Sequence, residues 1–263
     1  MPQNQRKNFL KNVSLFLQKR TCFLAIFLVL TGFVFLPQSD AATITSAATG
    51  NWGTGATWVG GVAPVAGDNA VIANGHTVSL TAASSITNIT INSGGVLAGS
   101  TLRLTASGNY TNNGTHSGTG GVTLTGTNTT IDGTGTTSNT GTFILITGNK
   151  SVAAAANLTI GGAITITGAI TVTNNGTITS TGAGGMTGSV AGSSWTNAVN
   201  STLNIAGPVL ATGTLTATAA PNTVNYNGAV AQTIKATTYH HLTVSTGGTK
   251  TAAAALTVNG DVT

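Results

Sequence analysis

The sequence contains few charged residues, no glutamate and almost no cysteine. Only 5% of its 263 residues are charged, against about a quarter in an average globular protein. All four acidic residues are aspartates, and the single cysteine, Cys22, lies in an apolar stretch near the N-terminus. These shortages argue against a disulfide framework, a cysteine-ligated zinc site and catalysis that depends on glutamate.

Most of the net charge of +5 comes from the first twenty residues. The basic residues there are Arg6, Lys7, Lys11, Lys19 and Arg20. Beyond residue 41 four bases face three acids, so the net charge is 4 − 3 = +1. These later charges are Arg103, Lys150, Lys235 and Lys250 with Asp68, Asp132 and Asp261. The chain after residue 41 is nearly neutral and lacks the excess of basic residues that binds nucleic acid, so we expect no nucleic-acid partner.

Residues 1–41 have the three parts of a secretory signal peptide. A basic segment precedes an apolar run at 22–36, and a polar stretch then ends at Ala41. Ser39 and Ala41 are small residues at the spacing that a signal peptidase recognises, so we predict cleavage after Ala41. The alternative is an uncleaved membrane anchor, although fifteen apolar residues fall short of the about twenty that usually span a bilayer. In either case the membrane is contacted only through this leader.

The rest of the chain alternates apolar and polar residues in short runs. Ile, Val or Leu alternates with Thr or Asn at 77–80, 86–91 and 122–125, and Gly, Asn or Ser follows nearly every run. Period-two alternation of β-branched residues predicts strands separated by tight turns. No segment after the leader has the 3.6-residue period of an amphipathic helix, so we predict an all-β protein.

Internal repeats select among all-β architectures. Segment 121–165 aligns with 223–263 at a spacing of about a hundred residues, and Lys150 and Lys250 each precede four alanines. A shorter recurrence every six residues joins Ile166, Val172 and Ile178. Stacked strand units, each burying its apolar face against its neighbours, explain both spacings.

We therefore predict a β-solenoid, specifically a right-handed parallel β-helix. Coils of roughly 20 to 25 residues would give on the order of ten coils after the leader. Two tandem β-sandwiches of about a hundred residues each are the alternative that the longer repeat also allows.

The segment after the leader resembles a known family. The pattern from Trp52 and Trp58 through Pro64, Asp68 and His76 resembles the G8-like opening of bacterial secreted solenoid proteins. Segments 110–114, 231–234 and 242–244 are similar to the β-strand repeats of bacterial surface and adhesin-type proteins. The resemblance implies a G8-like capping region at 42–105, followed by a β-strand repeat solenoid at 106–263. Because the sequence stops in mid-repeat, we expect it to be truncated at its C-terminus.

Trp52 and Trp58 are the two candidate ligand-binding residues. Their large apolar surfaces suit a cap that closes the first coil, where strand edges would otherwise be exposed. In the alternative interpretation, the same rings stack on a sugar. The choice depends on whether the rings are buried.

Catalytic and metal-binding groups are scarce. Asp68, Asp132 and Asp261 lie far apart along the sequence, and glycoside hydrolysis needs two facing carboxyl groups. His240 and His241 are adjacent, and within a strand they would point to opposite faces. We therefore expect no catalytic residue, metal site or cofactor.

Threonine pairs separated by one residue raise the question of an ice-binding face. Such pairs start at Thr165, Thr171 and Thr177, six residues apart. A coil of about twenty residues would distribute these three pairs over different faces, which argues against a flat array built from them.

These observations favour an exported, non-enzymatic structural or adhesive scaffold at the bacterial cell surface or outside the cell. Its partners would be glycans or neighbouring surface proteins, contacted through many weak polar groups. The alternatives are a carbohydrate- or ice-binding module and, less favoured, a polysaccharide-active enzyme.

Overall fold

The chain folds into a parallel β-solenoid. The computed structural model describes residues 41–138 and 140–263, and these form about nine turns of stacked parallel strands. The helical content is one 3₁₀ turn, Gly55–Thr57, within the described residues. The predicted all-β solenoid is confirmed, whereas its right-handed coiling stays a prediction. The predicted signal peptide lies outside the described residues, apart from Ala41.

The strands belong to three faces that the chain visits in turn. Face I is a nine-stranded sheet: β1 (Thr43–Thr45), β3 (Asn69–Ile72), β6 (Asn88–Ile91), β9 (Tyr110–Asn112), β12 (Thr129–Asp132), β15 (Lys150–Val152), β18 (Thr171–Asn174), β21 (Ser194–Asn197) and β23 (Thr214–Thr216). Face II is a ten-stranded sheet: β2 (Gly50–Asn51), β4 (Thr77–Ser79), β7 (Val96–Ala98), β10 (Thr115–Ser117), β13 (Thr136–Thr137), β16 (Asn157–Ile160), β19 (Thr177–Ser180), β22 (Thr202–Ile205), β24 (Thr223–Tyr226) and β27 (His241–Val244). Face III is a six-stranded sheet: β5 (Ser84–Ile86), β8 (Leu104–Ala106), β11 (Val122–Leu124), β14 (Phe143–Ile146), β17 (Ile164–Thr167) and β20 (Met186–Gly188).

Four further strands complete the C-terminal coils. β25 (Gln232–Ile234) pairs with β28 (Lys250–Ala252), and β26 (Thr238–Tyr239) pairs with β29 (Thr257–Val258). A parallel bridge between Ala217 and Tyr239 continues face I into β26. In chain order β25 and β28 each follow a face II strand, so they occupy the third position of their coils.

Parallel pairing at a nearly regular interval rules out the sandwich alternative. The sheets are parallel, whereas a β-sandwich is built from antiparallel hairpins and Greek keys. The number of residues along the chain between paired positions is small from Gln232 to Lys250. It is largest from Gly50 to Val78, in the coil that contains the 3₁₀ turn. Most pairings lie between these two extremes, close to the predicted coil length.

The core runs along the inside of the stack. Each strand turns alternate residues inward, as the pleat requires, and on face II the residues Leu158, Ile178, Leu203, Val224 and Leu242 form one buried column. The buried apolar residues form a single cluster from Trp52 to Leu242. Short alternating strands are stable here because neighbouring coils bury their apolar side chains.

The two sequence periods have different structural meanings. The six-residue recurrence corresponds to β17, β18 and β19, which lie on faces III, I and II in succession. The hundred-residue repeat is not a whole number of coils. Lys150 begins β15 on face I, but its match Lys250 begins β28 in the third position, and β11 on face III matches β24 on face II.

The predicted boundary between 105 and 106 lies within a continuous ladder. β8 contains both residues and pairs with β5 on one side and with β11 on the other. The two predicted regions therefore share the same sheet, and their separation into a cap and a repeat region stays a prediction.

Candidate functional site

The segment from β2 to β3 contains both candidate tryptophans and folds back over the first coil. Trp58 forms an antiparallel bridge with Ser46, and the Val59 amide donates to the Thr45 carbonyl at 2.9 Å. The free edge of β1 is thereby partly covered, which removes an exposed strand edge. Gly60 and Gly61 make the following turn with φ of 85° and 74°, a conformation that other residues rarely adopt.

Trp52 and Trp58 are packed inside this segment. Their exposed fractions are 4% and 1%, and their ring centroids lie 5.1 Å apart at 76°. The Trp58 indole nitrogen donates to the Trp52 carbonyl at 2.6 Å, and that of Trp52 donates to the Pro64 carbonyl at 3.3 Å. Neither ring face is open to a sugar, so this geometry favours the capping role for both residues.

Asp68 holds the end of the same segment. One carboxylate oxygen accepts the Val65 amide at 3.0 Å, and the other accepts the Ala42 amide at 3.3 Å. Nearby, the Ser46 hydroxyl contacts the His76 ring at 2.8 Å. Of the polar residues in the opening motif, Asp68 therefore contacts the main chain and His76 contacts a serine of the first coil.

Lys150 is a buried cation that binds carbonyl oxygens. The residue is 2% exposed, and its Nζ donates to the carbonyls of Ile146, Thr147 and Gly148 at 3.0, 2.7 and 2.9 Å, and to that of Gly126. Burial lowers the pKa of Lys150 to about 8. The four carbonyl oxygens favour the protonated amine, because only the ammonium has three hydrogens to donate. Lys150 thus joins its own turn to that of the preceding coil.

The other three cations beyond residue 41 make the same kind of contact. Each donates to at least two carbonyls, one or more of them in an adjacent coil: Lys250 Nζ to Gly228, Val230, Gly247 and Gly248, Lys235 Nζ to Leu210 and Gly213, and Arg103 Nη1 to Val122 and Thr142. This role was not predicted from the sequence. Its signal was present in the repeat, where Lys150 and Lys250 each stand two residues after a glycine in a left-handed turn.

A polar cluster lies inside the solenoid around His116. The Tyr110 hydroxyl lies 3.2 Å from His116 Nδ1 and 3.1 Å from the Thr137 hydroxyl. Burial lowers the pKa of His116 to about 4 and raises the pKa of Tyr110. Both side chains are therefore neutral at physiological pH, and neither reaches a substrate because both are fully enclosed.

His240 and His241 correct one expectation. Their rings lie 4.1 Å apart at 82°, so they do not point to opposite faces. His240 precedes β27 in a bend, where the alternation of a strand does not apply. His241 Nδ1 lies 3.2 Å from the Asp261 carboxylate. Among residues 41–138 and 140–263, no group of three or more His, Cys, Asp or Glu side chains is arranged to hold a metal ion.

The three threonine pairs lie as expected on three different faces. Thr165 belongs to β17 on face III, Thr171 to β18 on face I and Thr177 to β19 on face II. The pairs are thus separated around each coil.

Across coils, however, face II brings together an array that the sequence did not reveal. Strands β16, β19, β22, β24 and β27 pair in register and present two outward columns, here called the polar array. Column one is Asn157, Thr177, Thr202, Thr223 and His241, and column two is Thr159, Thr179, Asn204, Asn225 and Thr243. This is the largest regular two-column set of polar side chains on the described strands.

Comparisons with known proteins give no relative. No family model, curated protein or solved structure matches the chain. The resemblance to G8-like and adhesin-type proteins therefore has no support beyond its motifs. In the part of the chain that the structure describes, no helix has the length and apolar character needed to cross a membrane.

Proposed function

We propose that this protein is an exported, non-enzymatic β-solenoid that acts as a structural or adhesive scaffold at the bacterial cell surface or outside the cell. The observation that carries the proposal is the fold itself: three parallel ladders around one continuous apolar core. Such a stack presents long, regular polar faces without a cofactor. Its partners would be glycans or neighbouring surface proteins.

The charged groups support a scaffold because their hydrogen-bonding capacity is directed toward the main chain. The four cations donate to carbonyl oxygens that include those of adjacent coils, and Asp68 and Asp132 accept main-chain amides. A hollow of about 350 Å³ near Pro208 and Val209 contains one ionisable residue, Lys235, whose Nζ already donates to two carbonyls. Apart from the His241–Asp261 contact at 3.2 Å, these groups leave little for acid–base chemistry.

Export is tested with the full-length chain carrying a C-terminal epitope tag in bacterial cells. We expect the tag to appear outside the cytoplasm and N-terminal sequencing to begin at Ala42. The matched control is Leu28→Arg, which places a charge in the apolar run and should keep the tagged protein in the cytoplasm. A wild-type chain that remains cytoplasmic would overturn the export proposal.

The adhesive and non-enzymatic parts need separate assays. Beads coated with the full-length protein should be retained on bacterial surface glycans or surface protein more than uncoated beads. Incubation with the same polysaccharides should release no new reducing ends or unsaturated sugars. Retention equal to that of uncoated beads would remove the adhesive role, and release of sugar ends would make the protein an enzyme.

A further inference from the structure

The polar array has a regular two-dimensional spacing. Its five strands are hydrogen-bonded neighbours without stagger, so the rows repeat at about 4.8 Å across the strands. Within each strand the two outward residues stand two positions apart, which corresponds to about 6.7 Å. The array therefore extends over roughly 19 Å along the stack, across four strand intervals. The register aligns the two columns along the stack, and one buried residue separates the two outward residues of each strand.

The two columns differ in their hydrogen bonding. In column two, the Asn204 side-chain amide donates to the Thr179 hydroxyl at 3.1 Å, and the Asn225 side-chain amide donates to Asn204 Oδ1 at 3.2 Å. These bonds fix the side chains of that column. In column one the hydroxyls of Thr177 and Thr202 have no side-chain or main-chain partner among the described residues, so they are open to water.

The chemistry of the array limits its partner. Nine of the ten residues are Thr or Asn, and His241 is the one ionisable group among them. The three tryptophans and three tyrosines are all buried, so the only ring in the array is the imidazole of His241, at one end of column one, and the array offers no large aromatic face on which a sugar could stack. Packing against a second polar sheet would require desolvation of the open hydroxyls without an apolar gain.

We propose that the polar array is an ice-binding surface, whose ligand is water ordered on an ice lattice. Threonine suits this role because its β-branched side chain is restricted in χ1 and loses little entropy when it orders water. In this mode each of the six threonine hydroxyls holds one water, the threonine methyl group contacts the next water, and the six positions act together. Affinity then arises from simultaneous engagement and not from one strong contact.

Two other faces provide internal comparisons. On face I one outward row runs through five strands as Thr130, Ser151, Thr173, Thr196 and Thr216, but a second outward hydroxyl accompanies it only in β18, β21 and β23. On face III the regular strands align Thr123 with Ile144, which interrupts the hydroxyl row. The longest two-column array is the one on face II, and binding is therefore assigned to that face.

The test compares two matched substitutions in the full-length protein. Thr202→Tyr places a ring at the centre of column one, and Thr196→Tyr places the same ring at an outward position of face I. Ice recrystallisation inhibition and thermal hysteresis are measured for both variants and for the wild type. Far-UV circular dichroism and thermal unfolding check that both variants retain the fold.

We expect wild-type protein to inhibit ice recrystallisation. Thr202→Tyr should raise the required concentration on the order of tenfold, because the protruding ring prevents simultaneous engagement of the array. Thr196→Tyr should leave it unchanged. The inference is overturned by an inactive wild type, by a stronger effect of Thr196→Tyr, or by equal activity of Thr202→Tyr and wild type. Glycan binding that Thr202→Tyr abolishes, in a wild type without ice activity, would assign the array to sugars instead.

Discussion

At the scale of single residues, the lysine and arginine side chains bind main-chain carbonyl oxygens and not acidic side chains, of which the sequence has few. In the described part of the chain the one ion-pair contact joins His241 to Asp261, and it is partly exposed. Lysine and arginine side chains instead donate to carbonyl oxygens at turns, where successive coils meet. A turn in left-handed conformation directs its carbonyls toward one point, and Lys150 shows that a buried ammonium can occupy that point.

Replacement of Lys150 tests the importance of this contact. Lys150→Met keeps the apolar stem but leaves four partly buried carbonyl oxygens without their donor. We expect a loss of about 2 to 4 kcal/mol in the free energy of unfolding, measured by urea denaturation. Lys250→Met is the matched control, since three of its four carbonyl contacts are exposed, so water can replace the amine there. Equal losses in the two variants would show that burial is not the cause.

At the scale of elements, the segment that follows β2 covers the first coil, as a neighbouring coil covers each coil inside the stack. It pairs with the free edge of β1 and places two indole rings over the core. The cost of an open strand edge is thus avoided locally. The indole hydrogen bonds hold the segment closed, because each ring donates to a carbonyl of the same segment.

Removal of one ring should open this segment. Trp58→Ala deletes a side chain that is 1% exposed, and we expect a loss of about 3 to 5 kcal/mol in the free energy of unfolding. The neighbouring Val59 is 61% exposed, so Val59→Ala should change stability by less than about 0.5 kcal/mol. Both are measured by thermal and urea unfolding. A Trp58→Ala variant as stable as wild type would contradict the capping role.

At the scale of the whole described chain, stability should vary along the stack. β17, β18 and β19 have neighbours on both sides, whereas β28 and β29 lie at the last coil and their residues are mostly exposed. We expect amide hydrogens of these last strands to exchange much faster than those of the central strands, as followed by mass spectrometry. Uniform protection from β17 to β29 would show that the stack unfolds only as one unit.

The sequence was sufficient to predict stacked strands, but it was not sufficient to predict which side chains share a surface. Alternation of Ile with Thr at 164–167 predicts an inward and an outward side, and its recurrence predicts stacking. The polar array depends on which residues of successive coils stand side by side. Unequal coil lengths decide that register, and loop composition does not reveal them. Likewise, Lys150 was recognised as part of a repeat, but one of its carbonyl partners lies in the preceding coil.

The mismatch between the hundred-residue repeat and the coil has an evolutionary consequence. Matched strands lie one face apart, so each copy of the unit is turned by a third of a revolution about the solenoid axis. A single duplication therefore presents an existing side-chain pattern in a new direction. Three such duplications make a full revolution, and only then would the pattern point in its original direction again. Growth by this unit diversifies the orientation of a binding surface, whereas growth by whole coils would extend that surface in place.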